Sequence, residues 1–298
     1  MLDRVDEIIS AFINDLNDKT TLKLFGKISS GKKLRAKLIL KIASNNNEAP
    51  FLAAVIELIH AASLLHDDVI DDALTRRGQD SINAIFGNKS AIMLGDILYS
   101  KAFYELTSLD NKIAKTVSNA VVKLSIGELM DVELSKEFNT DEDKYFDMIY
   151  KKTASLIEAA AKSAAILAGF DEDKFALYGK NLGLAFQIID DILDITTDSE
   201  KLGKPSMHDF FEGKTTLPYI KMYQKLPEDE KRKLLSLYKK SINEDEKEWI
   251  REMMNKTGAL KESVKVVQNL AKEALNSIKE YKKDDLETII KEMIDREY

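Results

Sequence analysis

The chain has 298 residues, with 12 glycines, 4 prolines and no cysteine. The lack of cysteine excludes disulfides, thiolate metal sites and cysteine nucleophiles. Lys and Arg number 44 against 51 Asp and Glu, and this net charge of -7 argues against a general nucleic-acid-binding surface. No proline occurs from residue 51 to residue 204, which disfavours β-sandwiches, barrels and short-loop α/β folds.

Apolar residues recur at helical spacing along most of the chain, and period-two alternation is nowhere sustained. The periodicity predicts helices over about residues 2–18, 33–44, 50–72, 89–108, 110–136, 143–169, 172–196 and 214–225. From residue 219 onward, short apolar stripes between dense Lys and Glu predict a peripheral layer of amphipathic helices. Since no linker or repeat separates these parts, we expect one all-α domain over residues 1–298, built as a large helical bundle.

The N-terminal segment and the apolar runs bear on the cellular compartment. The N-terminus is amphipathic and acidic, unlike a signal peptide with its basic lead and apolar core. Glu158 and Lys162 interrupt the longest apolar candidate, so no uncharged stretch reaches the length of a membrane span. We therefore expect a soluble, cytoplasmic protein without a transmembrane segment.

Two clusters of aspartates with the spacing DDxxD follow apolar helical runs. They consist of Asp67, Asp68 and Asp71, and of Asp190, Asp191 and Asp194. The first and last aspartates of each cluster lie four residues apart and share one face of a helix. A single acidic run is commonly a solvated helix end. Two matching clusters that face each other across a bundle would instead form a hard oxygen site suited to Mg²⁺ and a diphosphate.

Basic residues flank both clusters. Each alone is better explained as a surface residue, because Lys and Arg are mostly exposed. Jointly they offer guanidinium forks and ammonium charges around a metal-bridged diphosphate. They are Lys32, Arg35, Arg76, Arg77, Lys151, Lys152, Lys204 and Lys214.

A carboxylate-rich bundle could alternatively hold two irons. Glu57 and His60 form one ExxH pair of the kind that such a site uses. A second pair is required, but neither His66 nor His208 has an acidic residue three positions earlier. The count of pairs therefore excludes a di-iron site.

The sequence resembles the trans-isoprenyl diphosphate synthases, the polyprenyl synthetase family, over about residues 20–220. The aspartate motifs lie in the segments DDVIDDALTRRG and FQIIDDILDIT. Further matching segments are GDILYSKAF, IGELMD, KTASL and LGKPSMHDFFEGKTTLPYI, in which Met207 takes a position where the family usually has glycine. The resemblance implies a helical bundle of the isoprenoid synthase type around a central cavity, a Mg²⁺-dependent prenyltransferase activity and a homodimer.

The resemblance also implies roles for individual residues. Asp67, Asp71 and Asp190 would hold about three Mg²⁺ ions with substrate bound, supported by Asp68, Asp191 and Asp194. The allylic diphosphate, expected to be farnesyl diphosphate, would contact Arg76, Lys152, Gln187, Lys204 and Lys214. Isopentenyl diphosphate would contact Lys32, Arg35, His60 and Arg77. Lys152, Thr153, Gln187 and Lys204 would take part in catalysis, with Thr153, Gln187 and a helix carbonyl near Lys152 protecting the allylic cation.

Ala62 and Ser63 lie about one helical turn before Asp67. In farnesyl and geranylgeranyl synthases of the family, a bulky aromatic residue near these positions ends chain growth. Both residues are small here, which predicts an open tunnel and a product of about C35 to C45, with octaprenyl diphosphate the expected one. Small residues at these positions could instead serve close helix packing.

Three other functions are compatible with parts of the pattern. A short-chain farnesyl or geranylgeranyl diphosphate synthase would share both motifs. A non-catalytic subunit of a heteromeric synthase would keep the bundle but lose catalytic positions. A terpene cyclase would carry an Asn/Ser/Glu metal motif in place of the second DDxxD, and the aspartates at 190, 191 and 194 argue against it.

Overall fold

A computed structural model describes residues 1–29, 31–197 and 206–294, and their regular structure is almost entirely helical. The helices before residue 140 are α1 (Leu2–Asp15), α2 (Lys19–Phe25), α3 (Leu34–Ile42), α4 (Ala49–Ile70), α5 (Ile82–Phe86), α6 (Asn88–Leu106) and α7 (Asn111–Leu134). Those after it are α8 (Glu142–Ile149), α9 (Ser155–Ala168), α10 (Glu172–Thr196), α11 (His208–Glu212), α12 (Leu217–Lys225), α13 (Glu228–Leu237), α14 (Glu244–Thr257), α15 (Ala259–Ser277) and α16 (Asp284–Ile294). A π-helical turn at Tyr150–Ala154, a 3₁₀ turn at Lys279–Tyr281 and the two-residue strands β1 (Thr75–Arg76) and β2 (Gln79–Asp80) complete the described elements. The predicted all-α fold class is confirmed.

The eight predicted helices coincide with observed ones to within a few residues, with one internal difference. The segment predicted as one helix over 143–169 is α8, the π-helical turn and α9 in unbroken succession. Hydrophobic periodicity could not reveal the turn, because one extra residue barely changes the pattern of apolar positions. Periodicity also missed α2, α5 and α11, which are too short for an apolar stripe to develop.

The chain divides into two compact units. The first comprises Met1–Val121 and Leu156–Ala176, and in it α4 packs against α1, α3 and α6. Pro50 lies in the first turn of α4, where a missing N–H costs no hydrogen bond, and the following side chains are largely buried. Within the described residues, α4 is also the one helix long and apolar enough to cross a membrane, but most of it is buried inside the protein, as in a core helix.

The second unit comprises Val122–Ser155 and Leu177–Tyr298. In this unit α12 packs against α8, α14 and α15. The end of α10 shares a core with the C-terminal helices, in which Ile195, Phe210, Tyr219 and Met254 are fully buried. The single domain over residues 1–298 stays a prediction.

Candidate active site

The first aspartate motif spans the C-terminal end of α4. Asp67 and Asp68 lie in the last turn, which ends at Ile70, and Asp71 follows directly. The Asp71 N–H still donates to the Asp67 carbonyl oxygen at 2.8 Å, so these two aspartates keep helical spacing. A helix C-terminus carries partial negative charge, and carboxylates there are unfavourable unless a cation is held nearby. The position of the motif therefore favours cation binding.

Asp68 is more buried than Asp67 and Asp71. Its side chain is 5% exposed, accepts a hydrogen bond from Arg76 Nε at 2.7 Å and lies 2.5 Å from a terminal guanidinium nitrogen. Asp67 and Asp71 are only partly buried. The carboxylates of Asp67 and Asp71 are thus within reach of a metal or a substrate, whereas Asp68 holds Arg76.

A short hairpin positions the two arginines that follow the motif. β1 pairs antiparallel with β2, with Arg76 opposite Gln79. Arg77 and Gly78 form the two-residue turn, and both have positive φ, at 55° and 71°, as a type I′ hairpin turn requires. Neighbouring residues of the hairpin therefore present two guanidinium groups close to the end of α4.

Asn83 fixes this hairpin to α4. Its side-chain amide donates to the carbonyl oxygens of Asp68 at 3.2 Å and Ala73 at 2.9 Å, and the residue is 8% exposed. These bonds tie the helix that follows the hairpin to the end of α4 and to the segment just beyond it. Sequence reasoning missed Asn83, because its role depends on a contact that no local pattern encodes.

Three of the four residues expected to bind isopentenyl diphosphate interact electrostatically in the first unit. Burial and the charges of Arg35, Arg77 and Arg76 lower the pKa of His60 well below its ordinary value of 6.5. The imidazole is therefore neutral at neutral pH. A neutral ring can donate one hydrogen bond to an anion while it accepts another.

Glu57 contributes a carboxylate close to Arg35 and Arg77. One of its oxygens accepts a hydrogen bond from the Ala36 N–H at 2.9 Å, at the start of α3. Burial lowers the pKa of Arg35, the charge of Glu57 opposes that shift, and Arg77 adds to it. Both guanidinium groups nevertheless stay charged. The two arginines and the neutral histidine offer hydrogen-bond donors that suit an anion such as a diphosphate.

The loop before α3 contacts Arg77. Arg77 donates from a terminal nitrogen to the Ser29 carbonyl oxygen at 3.0 Å. A Cβ on Gly31 would lie 2.6 Å from the Arg77 guanidinium, so a side chain there would displace the arginine. Lys32, the fourth residue expected in this group, follows Gly31 with an exposed side chain.

Ala62 and Ser63, the two positions expected to set product length, are both buried in α4. Ala62 is 0% exposed and Ser63 is 4% exposed. The Ser63 hydroxyl donates to the His60 carbonyl oxygen at 2.9 Å, a bond within its own helix. A larger side chain at either position would therefore occupy space inside the first unit and not in solvent.

The second aspartate motif lies toward the end of α10. Asp190 is partly buried, whereas Asp191 and Asp194 are 3% and 1% exposed. Asp194 accepts a hydrogen bond from the Asp209 N–H at 3.2 Å, and its carbonyl oxygen accepts one from the Met207 N–H at 2.8 Å. The leading aspartate is partly buried, as in the first motif, but here both later aspartates are buried, whereas Asp71 of the first motif is only partly buried.

Asp191 uses both of its carboxylate oxygens within the second unit. The Tyr145 hydroxyl donates to Oδ2 at 2.5 Å, and the Gln187 amide donates to Oδ1 at 2.9 Å. Burial, together with the nearby Asp209 carboxylate, raises the pKa of Asp191 well above its ordinary range despite these two donors. Gln187 in turn accepts a hydrogen bond from the Thr153 hydroxyl at 2.8 Å.

Lys152 and Thr153 lie in the π-helical turn at Tyr150–Ala154. The Ser155 N–H reaches back to the Tyr150 carbonyl oxygen, five residues earlier, and the Ser155 hydroxyl donates to the Lys151 carbonyl oxygen at 2.7 Å. Such turns interrupt the usual i to i−4 ladder and are frequent at functional sites. The helix carbonyl that the resemblance implies near Lys152 falls within this turn.

Two glycines, one in α7 and one in α10, lie in close contact with the backbone of the π-helical turn. A Cβ on Gly127 of α7 would lie 2.2 Å from the Lys152 backbone nitrogen, and one on Gly183 of α10 would lie 2.5 Å from the Ala154 Cα. Backbone atoms cannot move aside as a side-chain terminus can. The turn therefore keeps its position because both neighbours lack a side chain.

The Lys152 ammonium is held by two acidic residues of α7. Its Nζ atom lies 2.5 Å from Asp131 Oδ2 and 3.0 Å from Glu128 Oε2, and both carboxylates are nearly buried. Glu128 was not among the residues expected from the sequence, although its i, i+3 relation to Asp131 on one helix face is a usable signal. The pair fixes the position of the lysine ammonium beside the π-helical turn.

Lys214 and the segment around α11 complete the described candidates. Lys214 Nζ lies 2.7 Å from Glu212, which also contacts His208 at 3.0 Å. Burial raises the pKa of Glu212, but these two partners outweigh it and bring the pKa to about 2. Met207 precedes α11 with a φ of 59°, a conformation that explains the usual glycine at this position. Lys204 lies outside the described residues.

The donors of the first motif fit Mg²⁺. Asp67 and Asp71 offer hard carboxylate oxygens one turn apart, beside an Asp68 already occupied by Arg76. Among the residues that the structure describes, no three histidine or acidic side chains converge into a preformed metal cluster. Mg²⁺ binds readily through one or two carboxylates and completes its octahedron with water and phosphate oxygens. The aspartates would hold such an ion with a diphosphate as co-ligand.

Comparison with known proteins identifies the family and the fold. The polyprenyl synthetase family model matches residues 20–257. The crystal structure of octaprenyl pyrophosphate synthase from Helicobacter pylori superposes with a TM-score of 0.94 at 43% identity, covering 99% of this chain and 98% of that one. That of geranylgeranyl pyrophosphate synthetase from Pyrococcus horikoshii gives a TM-score of 0.91 at 29% identity, covering 99% and 96%.

A curated relative points to the same class. A short chain isoprenyl diphosphate synthase of Methanothermobacter thermautotrophicus is 38% identical over 246 residues, which are 78% of this chain and 76% of the relative. Together these matches define a helical prenyltransferase of the isoprenoid synthase fold. The chain belongs to the polyprenyl synthetase family, whose members join isopentenyl diphosphate to an allylic diphosphate.

Proposed function

We propose that the chain is a long-chain trans-polyprenyl diphosphate synthase, which adds isopentenyl diphosphate units to farnesyl diphosphate until an octaprenyl product forms. The observation that carries the proposal is the sorting of each DDxxD motif. The accessible aspartates are Asp67, Asp71 and Asp190, while the intervening carboxylates are occupied by Arg76, Tyr145 and Gln187. Accessible carboxylates that can bind a metal, beside carboxylates that hold protein side chains in place, suit a metal-assisted departure of diphosphate.

Asp67, Asp71 and Asp190 are the proposed ligands of Mg²⁺, with about three ions per site when substrate is bound. When bound, the metal supplies Lewis-acid stabilisation of the negative charge that develops on the leaving diphosphate. Arg76, Lys152 and Lys214, together with Lys204, bind the same diphosphate through guanidinium and ammonium donors. Because Asp68 holds Arg76 and Asp131 holds Lys152, these two cations are oriented before substrate arrives.

Loss of diphosphate leaves an allylic cation, which the site has to protect from water. The Thr153 hydroxyl, the Gln187 side chain and a carbonyl of the π-helical turn offer oxygen lone pairs without being strong nucleophiles. The double bond of isopentenyl diphosphate, held by Lys32, Arg35, His60 and Arg77, attacks the cation. The released diphosphate takes the proton in the final elimination, since no side chain is assigned to this step.

We infer that the length of the product is set at Ala62 and Ser63, about one turn before Asp67. Both are small and buried, so neither brings an aromatic side chain into the interior of the first unit. The resemblance to the octaprenyl synthase of Helicobacter pylori supports a long product. A short-chain or geranylgeranyl product is the second candidate, because relatives with those activities also match.

Assembly and location belong to the proposal as well. We infer a cytoplasmic homodimer. α7 presents an apolar ridge in which Val122, Ile126 and Leu129 are 57%, 44% and 62% exposed at a spacing of four and three residues. Such a ridge on one helix face suits a second copy of the chain.

The catalytic assignment is tested with the purified chain, isopentenyl diphosphate and radiolabelled farnesyl diphosphate, with and without Mg²⁺. Asp67→Ala and Asp190→Ala should each remove most turnover while the helical circular dichroism stays unchanged. Asp110→Ala, an exposed aspartate outside both motifs, is the matched control and should retain activity. Full turnover in either motif variant would refute the metal role, and an inactive wild-type chain would favour a non-catalytic subunit.

A further inference from the structure

Four side chains of the second unit form one continuous chain of hydrogen bonds. The Tyr145 hydroxyl donates to Asp191 Oδ2 at 2.5 Å, and Gln187 Nε2 donates to Asp191 Oδ1 at 2.9 Å. The Thr153 hydroxyl then donates to Gln187 Oε1 at 2.8 Å. The bonds run from α8 through α10 to the π-helical turn, and no local sequence pattern indicates Tyr145 as part of the site.

The direction of each bond follows from the atoms that meet. The Gln187 amide nitrogen can only donate, so Asp191 Oδ1 accepts from it, and the amide oxygen on the other side of the group faces Thr153. An amide oxygen can likewise only accept, so the Thr153 proton is committed to Gln187. The lone pairs of the Thr153 hydroxyl are thereby left to point elsewhere.

The orientation of Thr153 matters for an allylic cation. A hydroxyl that presents its lone pairs stabilises a nearby positive charge, whereas one that presents its proton destabilises it. If the amide of Gln187 were reversed, its NH₂ group would face Thr153, and the threonine proton would turn away from Gln187. Whether Thr153 presents its lone pairs or its proton to the substrate thus depends on Asp191.

Asp191 in turn depends on Tyr145. Tyr145 is 1% exposed and Asp191 is 3% exposed, so water cannot easily replace a missing partner. Without the tyrosine hydroxyl, one buried carboxylate oxygen would lose its donor, and the carboxylate would be free to rotate away from Gln187. Hydrogen bonds that are linked in one buried network also strengthen one another compared with isolated pairs.

We propose that Tyr145 is a positioning residue which, through Asp191, fixes the amide of Gln187 and so turns the lone pairs of Thr153 toward the allylic cation. The inference rests on the proposed prenyltransferase function. In it, Asp191 serves as a hydrogen-bond acceptor, and the metal is left to Asp190 in this motif. This chain of hydrogen bonds affects the chemical step and leaves substrate binding unaltered.

Tyr145→Phe tests the proposal by a split between kinetic constants. The loss of one buried hydrogen bond in the series should lower kcat by about tenfold, while KM for both diphosphates changes by less than about twofold. Tyr178→Phe is the matched control, because Tyr178 is equally buried and donates to the Leu286 carbonyl oxygen at 2.8 Å. It should lose stability without losing kcat.

A double-mutant cycle separates positioning from general destabilisation. If Tyr145 acts through Thr153, Tyr145→Phe should have little further effect on kcat in a Thr153→Val background. Independent effects would instead multiply, and that result would overturn the proposal. Mg²⁺ affinity, measured by calorimetry with an unreactive thiolodiphosphate analogue, should be unchanged in Tyr145→Phe, and its loss would contradict the acceptor role of Asp191.

A second variant covers the case in which Tyr145→Phe does not fold. Gln187→Leu removes both the donor to Asp191 and the oxygen that accepts the Thr153 proton, so the proposal predicts a kcat at least as low as that of Thr153→Val. Wild-type kcat in Gln187→Leu would refute it. An inactive wild-type chain would refute the proposed function itself, whereas an active wild type with an unaffected Tyr145→Phe would refute this inference alone.

Discussion

Gly127→Ala is the substitution that most directly tests whether the π-helical turn matters for catalysis. The added Cβ would lie 2.2 Å from the Lys152 backbone nitrogen, whereas an ordinary contact begins at 3.4 Å. The two backbones therefore have to separate by about 1.2 Å, the difference between these distances. That displacement would move Lys152 and Thr153, both assigned to the diphosphate and the allylic cation.

Gly127→Ala should lower kcat more than it lowers the free energy of unfolding, when both effects are expressed as free energies. Overpacking of this kind costs about 1–3 kcal/mol, and alanine regains about 1 kcal/mol through its higher helix propensity. The free energy of unfolding should therefore fall by about 2 kcal/mol or less. A misplacement of about 1 Å at a reacting centre can lower the rate by about a hundredfold.

The assay compares kcat for isopentenyl diphosphate addition with the thermal unfolding midpoint. Gly183→Ala should behave like Gly127→Ala, because its Cβ would meet the Ala154 Cα from the opposite helix at 2.5 Å. Gly26→Ala is the control, since its nearest neighbour lies at 3.3 Å and its φ of −63° suits alanine. A kcat within about threefold of wild type in Gly127→Ala would refute the reasoning.

Three further predictions concern pH, product length and assembly. Because the folded-state pKa of His60 lies well below 6.5, the unfolded chain binds the proton first as the pH falls, so stability drops below about pH 6.5. His60→Asn should lose less stability than wild type in denaturant titrations between about pH 7 and pH 5, and an identical pH profile would contradict a neutral, buried His60. Ala62→Phe or Ser63→Phe should shorten the product seen by mass spectrometry, and unchanged products in both would exclude these positions from the tunnel. Leu129→Glu should convert a dimer into a monomer in light scattering, whereas an unaltered mass would remove the α7 ridge from the interface.

The parts of the site that depend on helical spacing could be predicted from the sequence. The i, i+4 relation placed Asp67 and Asp71 on one face, and the structure retains it through the hydrogen bond between their backbones. The all-α fold followed from apolar periodicity and from the lack of proline between residues 51 and 204. These features are local, and a single chain segment determines each of them.

The parts that depend on contacts between distant segments could not be predicted. Tyr145 is 46 residues from Asp191, and Glu128 is 24 residues from Lys152. Nothing in the local sequence of either partner marks the other. The hairpin of β1 and β2 was missed because two-residue strands are too short to alternate, although the positive φ at Gly78 suits a glycine turn.

Long-chain synthesis can be measured by mass spectrometry of the products formed from farnesyl diphosphate, isopentenyl diphosphate and Mg²⁺. We expect the purified chain alone to consume both substrates and to accumulate octaprenyl diphosphate as the main product. Products that stop at farnesyl or geranylgeranyl diphosphate would contradict the long-chain assignment, and the absence of any condensation product would contradict the enzymatic one.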